Sequence, residues 1–284
     1  MIIQKIGIVG LQFYLYVMKP HLLLDSITDV SATAEHAIVV SGSHGGLYPA
    51  VLASRAGIRA VIFNDAGIGC NRAGIAGVEA LAMVGMAAAT VDCHSAEIGS
   101  AMDMVQNGQI SFATEIAESL GLKVGTHVDR AIALLQYAPE PSGILPKMDE
   151  ARTEQKLVGA DTNVLLVDSA SLVSPVDDGR IIVAGSHGAL IGGDPKRALK
   201  AHARFACFND AGIGKNRIGM SRLPALEQQG IAAATVSHQS CVIGDAASAY
   251  KTGVIGAANG IAQAMGVAAG QTLRDALSLV AAIR

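Results

Sequence analysis

The chain repeats itself, and that constrains its fold more than any other feature of the sequence. Gly42-Ser43-His44-Gly45 recurs as Gly185-Ser186-His187-Gly188, and Phe63-Asn64-Asp65-Ala66-Gly67-Ile68-Gly69 recurs as Phe208-Asn209-Asp210-Ala211-Gly212-Ile213-Gly214. The match runs on through Asn71-Arg72 and Asn216-Arg217 to Gly74 and Gly219, so ten of the twelve positions from 63 to 74 equal their partners. The Ala87–Val91 run returns as Ala232–Val236, and Ser95 and Ser240 follow at matching places. Each copy exceeds 100 residues, too long for a solenoid unit and long enough for a domain-sized half. The expected organisation is an N-terminal extension (1–19), a first α/β repeat (20–135), a connector (136–162) and a second repeat (163–284). Pro139, Pro141, Pro146 and the charged run from Lys147 to Lys156 mark the connector.

Within each half, short apolar runs alternate with stretches of helical spacing. Strands are expected at Ala37–Ser41, Ala60–Phe63 and Ala87–Val91, and again at Ile181–Ala184, Phe205–Phe208 and Ala232–Val236. Helices are expected at Leu47–Ala56, closed by Gly57, at about Ile75–Val84 and at Leu223–Gln229. Such alternation indicates βαβ units with parallel pairing. The expected fold is α/β: internally duplicated three-layer Rossmann-like domains with a mainly parallel sheet and pseudo-two-fold symmetry. One continuous sheet and two separate sheets are equally compatible with the pattern.

Composition removes several classes of function. Twenty-one basic against 24 acidic residues leave a net charge of −3, with no electropositive excess for nucleic acid. Four Cys in 284 residues do not make a disulfide framework. The apolar share is 51%, yet no run is long and apolar enough to read as a membrane span. Lys19-Pro20-His21 stands where a signal peptide would place small residues for cleavage, so a cytoplasmic location is expected. Apolar content beyond the needs of one core points to a homo-oligomer.

In parallel sheets ligands bind beyond the carboxyl ends of the strands, and the polar residues of the repeated motifs all fall there. His44 and His187 are expected to serve as acid and base near neutral pH. Asp65 and Asp210 would orient these imidazoles or cap the following turns. Ser43 and Ser186 are candidate nucleophiles, although each adjoins its own His and so points the other way. Asn64 and Asn209 would stabilise developing negative charge. Gly67, Gly69, Gly212 and Gly214 open helices whose free N–H groups attract anions, and Arg72 and Arg217 would clamp a carboxylate or phosphate. Ser95 and Ser240 complete the substrate-binding set. No Cys is repeated and no His-x-His or Cys-x-x-Cys spacing occurs, so neither a metal nor a cofactor is expected. The Gly-x-Gly turn departs from the dinucleotide fingerprint in its third glycine. These residues suggest a hydrolase or lyase acting on a small anionic metabolite at the interface of the repeats. The alternative is a non-catalytic anion- or nucleotide-binding protein.

Overall fold

The computed structural model describes residues 5–8, 11–14, 21–157 and 161–283. The expected N-terminal extension falls within these bounds only as β1 (Lys5–Ile8) and β2 (Leu11–Tyr14), an antiparallel pair separate from the two larger sheets. The rest of it lies outside the described residues.

The N-terminal half carries a five-stranded sheet in chain order: β3 (His21–Leu24), β4 (Ile38–His44), β5 (Ala60–Asn64), β6 (Ala87–Val91) and β7 (Ile110–Ala113). The first four strands are parallel and β7 is antiparallel. Right-handed crossovers between strands added in one direction put the intervening helices on one face. Accordingly α1 (Leu47–Arg55) and α2 (Ala76–Met83) pack against Val39, Val61, Phe63 and Ala88. The opposite face, with Val40, Ile62 and Ala89, is covered by α3 (Ala101–Asn107), α4 (Glu115–Ser119) and α5 (Val128–Leu135). The inner parallel strands β4, β5 and β6 are apolar on both sides because both sides are buried.

The C-terminal half has a separate six-stranded sheet. Strand β8 (Arg152–Lys156) pairs antiparallel with β9 (Asn163–Val167), and β10 (Ile181–His187), β11 (Phe205–Asn209) and β12 (Ala232–Val236) follow in parallel. Strand β13 (Ile255–Ala258) closes the sheet antiparallel. One face is covered by α7 (Ala246–Thr252), α8 (Gly260–Ala264) and α9 (Leu273–Ala282). On the other face lies α6 (Arg222–Gln228), but nothing there corresponds to α1. Residues 188–203 instead form loops with short 3-10 turns at Ile191–Gly193 and Pro195–Arg197. The molecule is thus α/β with two mainly parallel mixed sheets, consistent with a Rossmann-like fold.

Part of the expected connector, Arg152–Lys156, is a sheet strand. The antiparallel β7 and β13 are absent from the sequence reading because both are four-residue runs with little apolar periodicity.

The Gly-rich turns are where the halves meet. A Cβ added to Gly67 would lie 2.7 Å from the Gly212 Cα, and one added to Gly212 would lie 2.8 Å from the Gly67 Cα. The bonds around this contact are reciprocal. Cys70 N–H donates to the His238 carbonyl at 2.8 Å, and Lys215 N–H donates to the Cys93 carbonyl at 2.8 Å. Small apolar side chains, among them Ala66, Ala211, Ile98 and Ile243, fill the seam. Both turns run through left-handed backbone: Ala66, Ile68, Asn71, Arg72 and their four counterparts have φ between 47° and 64°. Each such residue costs on the order of 1–3 kcal/mol and persists only where its surroundings over-determine it. Here the packing of one half on the other supplies that constraint.

Candidate functional site

The register of β4 against β5 slips between Val40 and His44, and that of β10 against β11 slips between Val183 and His187. Bulges of this kind re-aim the side chains that follow them. In both halves the re-aimed residue is the histidine, and both histidines line one cavity of about 580 Å³. That volume suits a small molecule. Ser43, Ser186, Tyr48, Glu150, Asp168 and Arg222 share the lining.

His44 and His187 are 8% and 7% exposed. Gly46 N–H donates to His44 Nδ1 at 3.2 Å, so that nitrogen carries no proton and Nε2 holds it. The His44 ring edge, Cε1 and Nε2, lies beside Gly244, another cavity residue. His187 Nδ1 is enclosed without a hydrogen-bond partner. Burial depresses His44 to about 4. It also lowers His187 to about 3, with further repulsion from Arg222 and His44. Both imidazoles are therefore neutral at physiological pH.

Arg222 begins α6 and is 2% exposed. Its Nε donates to the Ala189 carbonyl at 3.0 Å, and Nη1 donates to the carbonyls of Ala198 and Arg197. The guanidinium lies 5.0 Å from the centre of the Phe208 ring. Among the described residues no carboxylate pairs with it, and the one charge acting on it is the repulsive Arg197. Burial lowers it to about 10, so it stays cationic at neutral pH. Burying a charge costs several kcal/mol unless a partner offsets it.

Glu150 lies half-buried on the same cavity, which Tyr48 and Ser169 also line. Burial, reinforced by the neighbouring Asp168, raises its carboxyl to about 7. Asp168 is itself satisfied by the N–H groups of Ala151 at 2.8 Å and Ala246 at 3.1 Å.

The remaining residues singled out by the sequence lie elsewhere. Asp65 does not meet His44: its Oδ1 accepts from the N–H groups of Gly67 at 2.9 Å and Cys93 at 3.0 Å. Asp210 does not meet His187: it holds His238, whose Nδ1 is 2.8 Å away, and the Gly212 N–H. Asn64 and Asn209 cap the adjoining turns by accepting from Ala66 and Ala211 N–H, each at 2.9 Å. Gly67, Gly69, Gly212 and Gly214 belong to the seam between the halves, with Gly69 against His238 and Gly214 against Cys93. Arg72 is exposed and pairs with Glu79 at 2.6 Å, while Arg217 is exposed on the equivalent turn. Ser95 and Ser240 donate to the carbonyls of Asp92 and Ser237 and tie down their own loops. Ser43 Oγ accepts from Ile27 N–H at 3.0 Å and Ser186 Oγ from Ala170 N–H at 2.8 Å, so neither hydroxyl is bonded to a histidine.

Asp92, Cys93 and His94 bring ligand atoms within 4.8 Å of one another away from this cavity. Burial and Asp65 push the Cys93 thiol up to about 12.

The sequence reading missed Arg222 and Glu150. The available signal for Arg222 was a break in the repeat, since Gly77 holds its place in the first half. Glu150 was absorbed into the charged run of the connector. No helix among the described residues is long and apolar enough to cross a membrane. Comparison with known proteins finds no matching family, curated protein or solved structure.

Proposed function

We propose that this chain is a small-molecule enzyme, a hydrolase or lyase, acting on a carboxylate or phosphate metabolite in the cavity between two duplicated halves. The halves are read as pseudo-two-fold copies on the strength of the repeated motifs and the reciprocal bonds across the Gly67–Gly212 contact. The observation that carries the functional reading is Arg222, a buried cation on the cavity wall with no carboxylate partner. An anionic ligand supplies the missing charge and makes bidentate bonding available.

The two histidines then take different roles. Neutral His44, with its proton on Nε2, donates a hydrogen bond to an oxygen on which negative charge develops. Neutral His187 is the base, accepting a proton from an activated water or from a carbon next to the substrate's carboxylate. Ser43 and Ser186 hold the loops after β3 and β9 against the strands bearing the histidines. This reading needs no aspartate behind either imidazole.

A thermal-shift screen of carboxylates and phosphates identifies the ligand class, because binding to the folded form raises its stability. With a substrate in hand, His187→Asn is expected to lower kcat by roughly 10²–10⁴-fold while leaving affinity within a few-fold. Unchanged turnover in both His187→Asn and His44→Asn overturns the catalytic assignment and leaves an anion-binding protein.

A further inference from the structure

The cavity contains a second uncompensated group, and its sign is opposite to that of Arg222. Glu150 lines the cavity half-buried, and no Lys or Arg among the described residues forms an ion pair with it. The neighbouring Asp168 repels it. Among the described residues Arg222 likewise forms no ion pair with a carboxylate, and Arg197 repels it. A charge withdrawn from water is costly unless paired, fully so for the buried Arg222 and in part for the half-buried Glu150. Both stand unpaired on the walls of one chamber.

We infer that the ligand is zwitterionic: its carboxylate meets Arg222 and an amino group meets Glu150. The inference rests on the anion-binding reading above and adds the second charge. An ammonium beside Glu150 offsets the Asp168 repulsion and donates to the carboxylate's lone pairs. The volume of about 580 Å³ leaves room for a spacer between the charged ends. Because Glu150 sits at about 7 in the empty cavity, capture of an ammonium draws its carboxyl downward and releases a proton.

The test compares ω-amino carboxylates of two to six methylenes with the alkanoates of the same lengths, by thermal shift and then calorimetry. At least one amino compound is expected to bind about tenfold or more tightly than its parent, with proton release seen as a buffer-dependent heat at pH 7. Glu150→Gln, which keeps the side chain's shape, is expected to abolish both the preference and the proton release while the parent alkanoates bind as before. Parents binding as well as amino compounds in the wild type, or a preference that survives in Glu150→Gln, overturns the zwitterion. Silence from both series while phosphates stabilise the protein also overturns it and leaves the anion reading standing. Silence from every anion overturns both.

Discussion

The two halves share motifs and sheet order, yet they spend the same corner of the fold differently. In the N-terminal half α1 and α2 pack so closely that a Cβ on Gly77 would lie 2.0 Å from the Gly46 carbonyl oxygen and 2.7 Å from the Ala50 Cβ. In the C-terminal half no helix follows β10, and Arg222, at the place of Gly77, extends its side chain into the space left open. Its guanidinium is held there by carbonyls of the 188–203 segment and by Phe208. One glycine permits a helix–helix contact, and one arginine in its place converts the equivalent volume into a charged cavity wall. The cavity wall thus combines residues of the repeated motifs, His44 and His187, with one that differs between the halves, Arg222.

The strongest challenge to this comparison is at the seam, where the halves are alike. Gly67→Ala and Gly212→Ala are each expected to cost about 3 kcal/mol or more, combining a backbone clash with a left-handed φ of 73° or 78°. Denaturant midpoints for the two variants should agree closely. A large cost at one and none at the other breaks the reciprocity of the interface.

Gly77→Ala is expected to cost about 1–3 kcal/mol by forcing α1 off α2. The loss is read from the denaturant midpoint, and a cost below about 0.5 kcal/mol would contradict the close contact at Gly77.

The pH dependence of stability follows from the buried histidines. Their folded values of about 4 and 3 lie below the unfolded 6.5, so the unfolded chain binds the extra protons in this window. Their contribution is complete above about pH 6.5 and is lost as pH falls toward 4. Glu150 acts in the opposite sense, its folded value of about 7 exceeding 4.5, so its contribution fades as pH rises through 7. Two imidazoles outweigh one carboxyl, and stability should rise by on the order of 1–2 kcal/mol from pH 5 to pH 7. The double variant His44→Asn, His187→Asn should lose that rise in chemical denaturation. A rise that persists unchanged places the protonation elsewhere.

The smallest effect is expected at Arg72. Its bridge to Glu79 joins side chains that are 58% and 41% exposed, so Arg72→Ala should change stability by about 0.5 kcal/mol or less.

Much of the frame was legible because buried parallel strands are continuous apolar runs. Ala87–Val91 and Ala232–Val236 are strands over those residues, and Leu47–Arg55 is a helix followed by Gly57 in the left-handed region. Of the residues singled out for the site, only His44, His187, Ser43 and Ser186 line the cavity. Asp65, Asn64 and the Gly-rich turn are polar and repeated for a different reason. They cap strained turns and seat one half on the other, and repetition alone does not separate an interface from a binding site. Arg222 and Glu150 escaped because burial of a charge is a property of packing: in sequence one is a helix-start arginine and the other a member of a charged run.

The central claim, that a buried arginine peculiar to one half supplies the anion site, is tested most directly by titrating one stabilising anion into the wild type, Arg222→Gln and Arg72→Gln. The account predicts that Arg222→Gln weakens binding by about 30-fold or more, as expected for loss of a buried charged partner. It predicts that Arg72→Gln stays within about twofold, as for an exposed surface charge. Full affinity in Arg222→Gln, or its loss in Arg72→Gln, would contradict the account and return the anion to the Gly-rich turn.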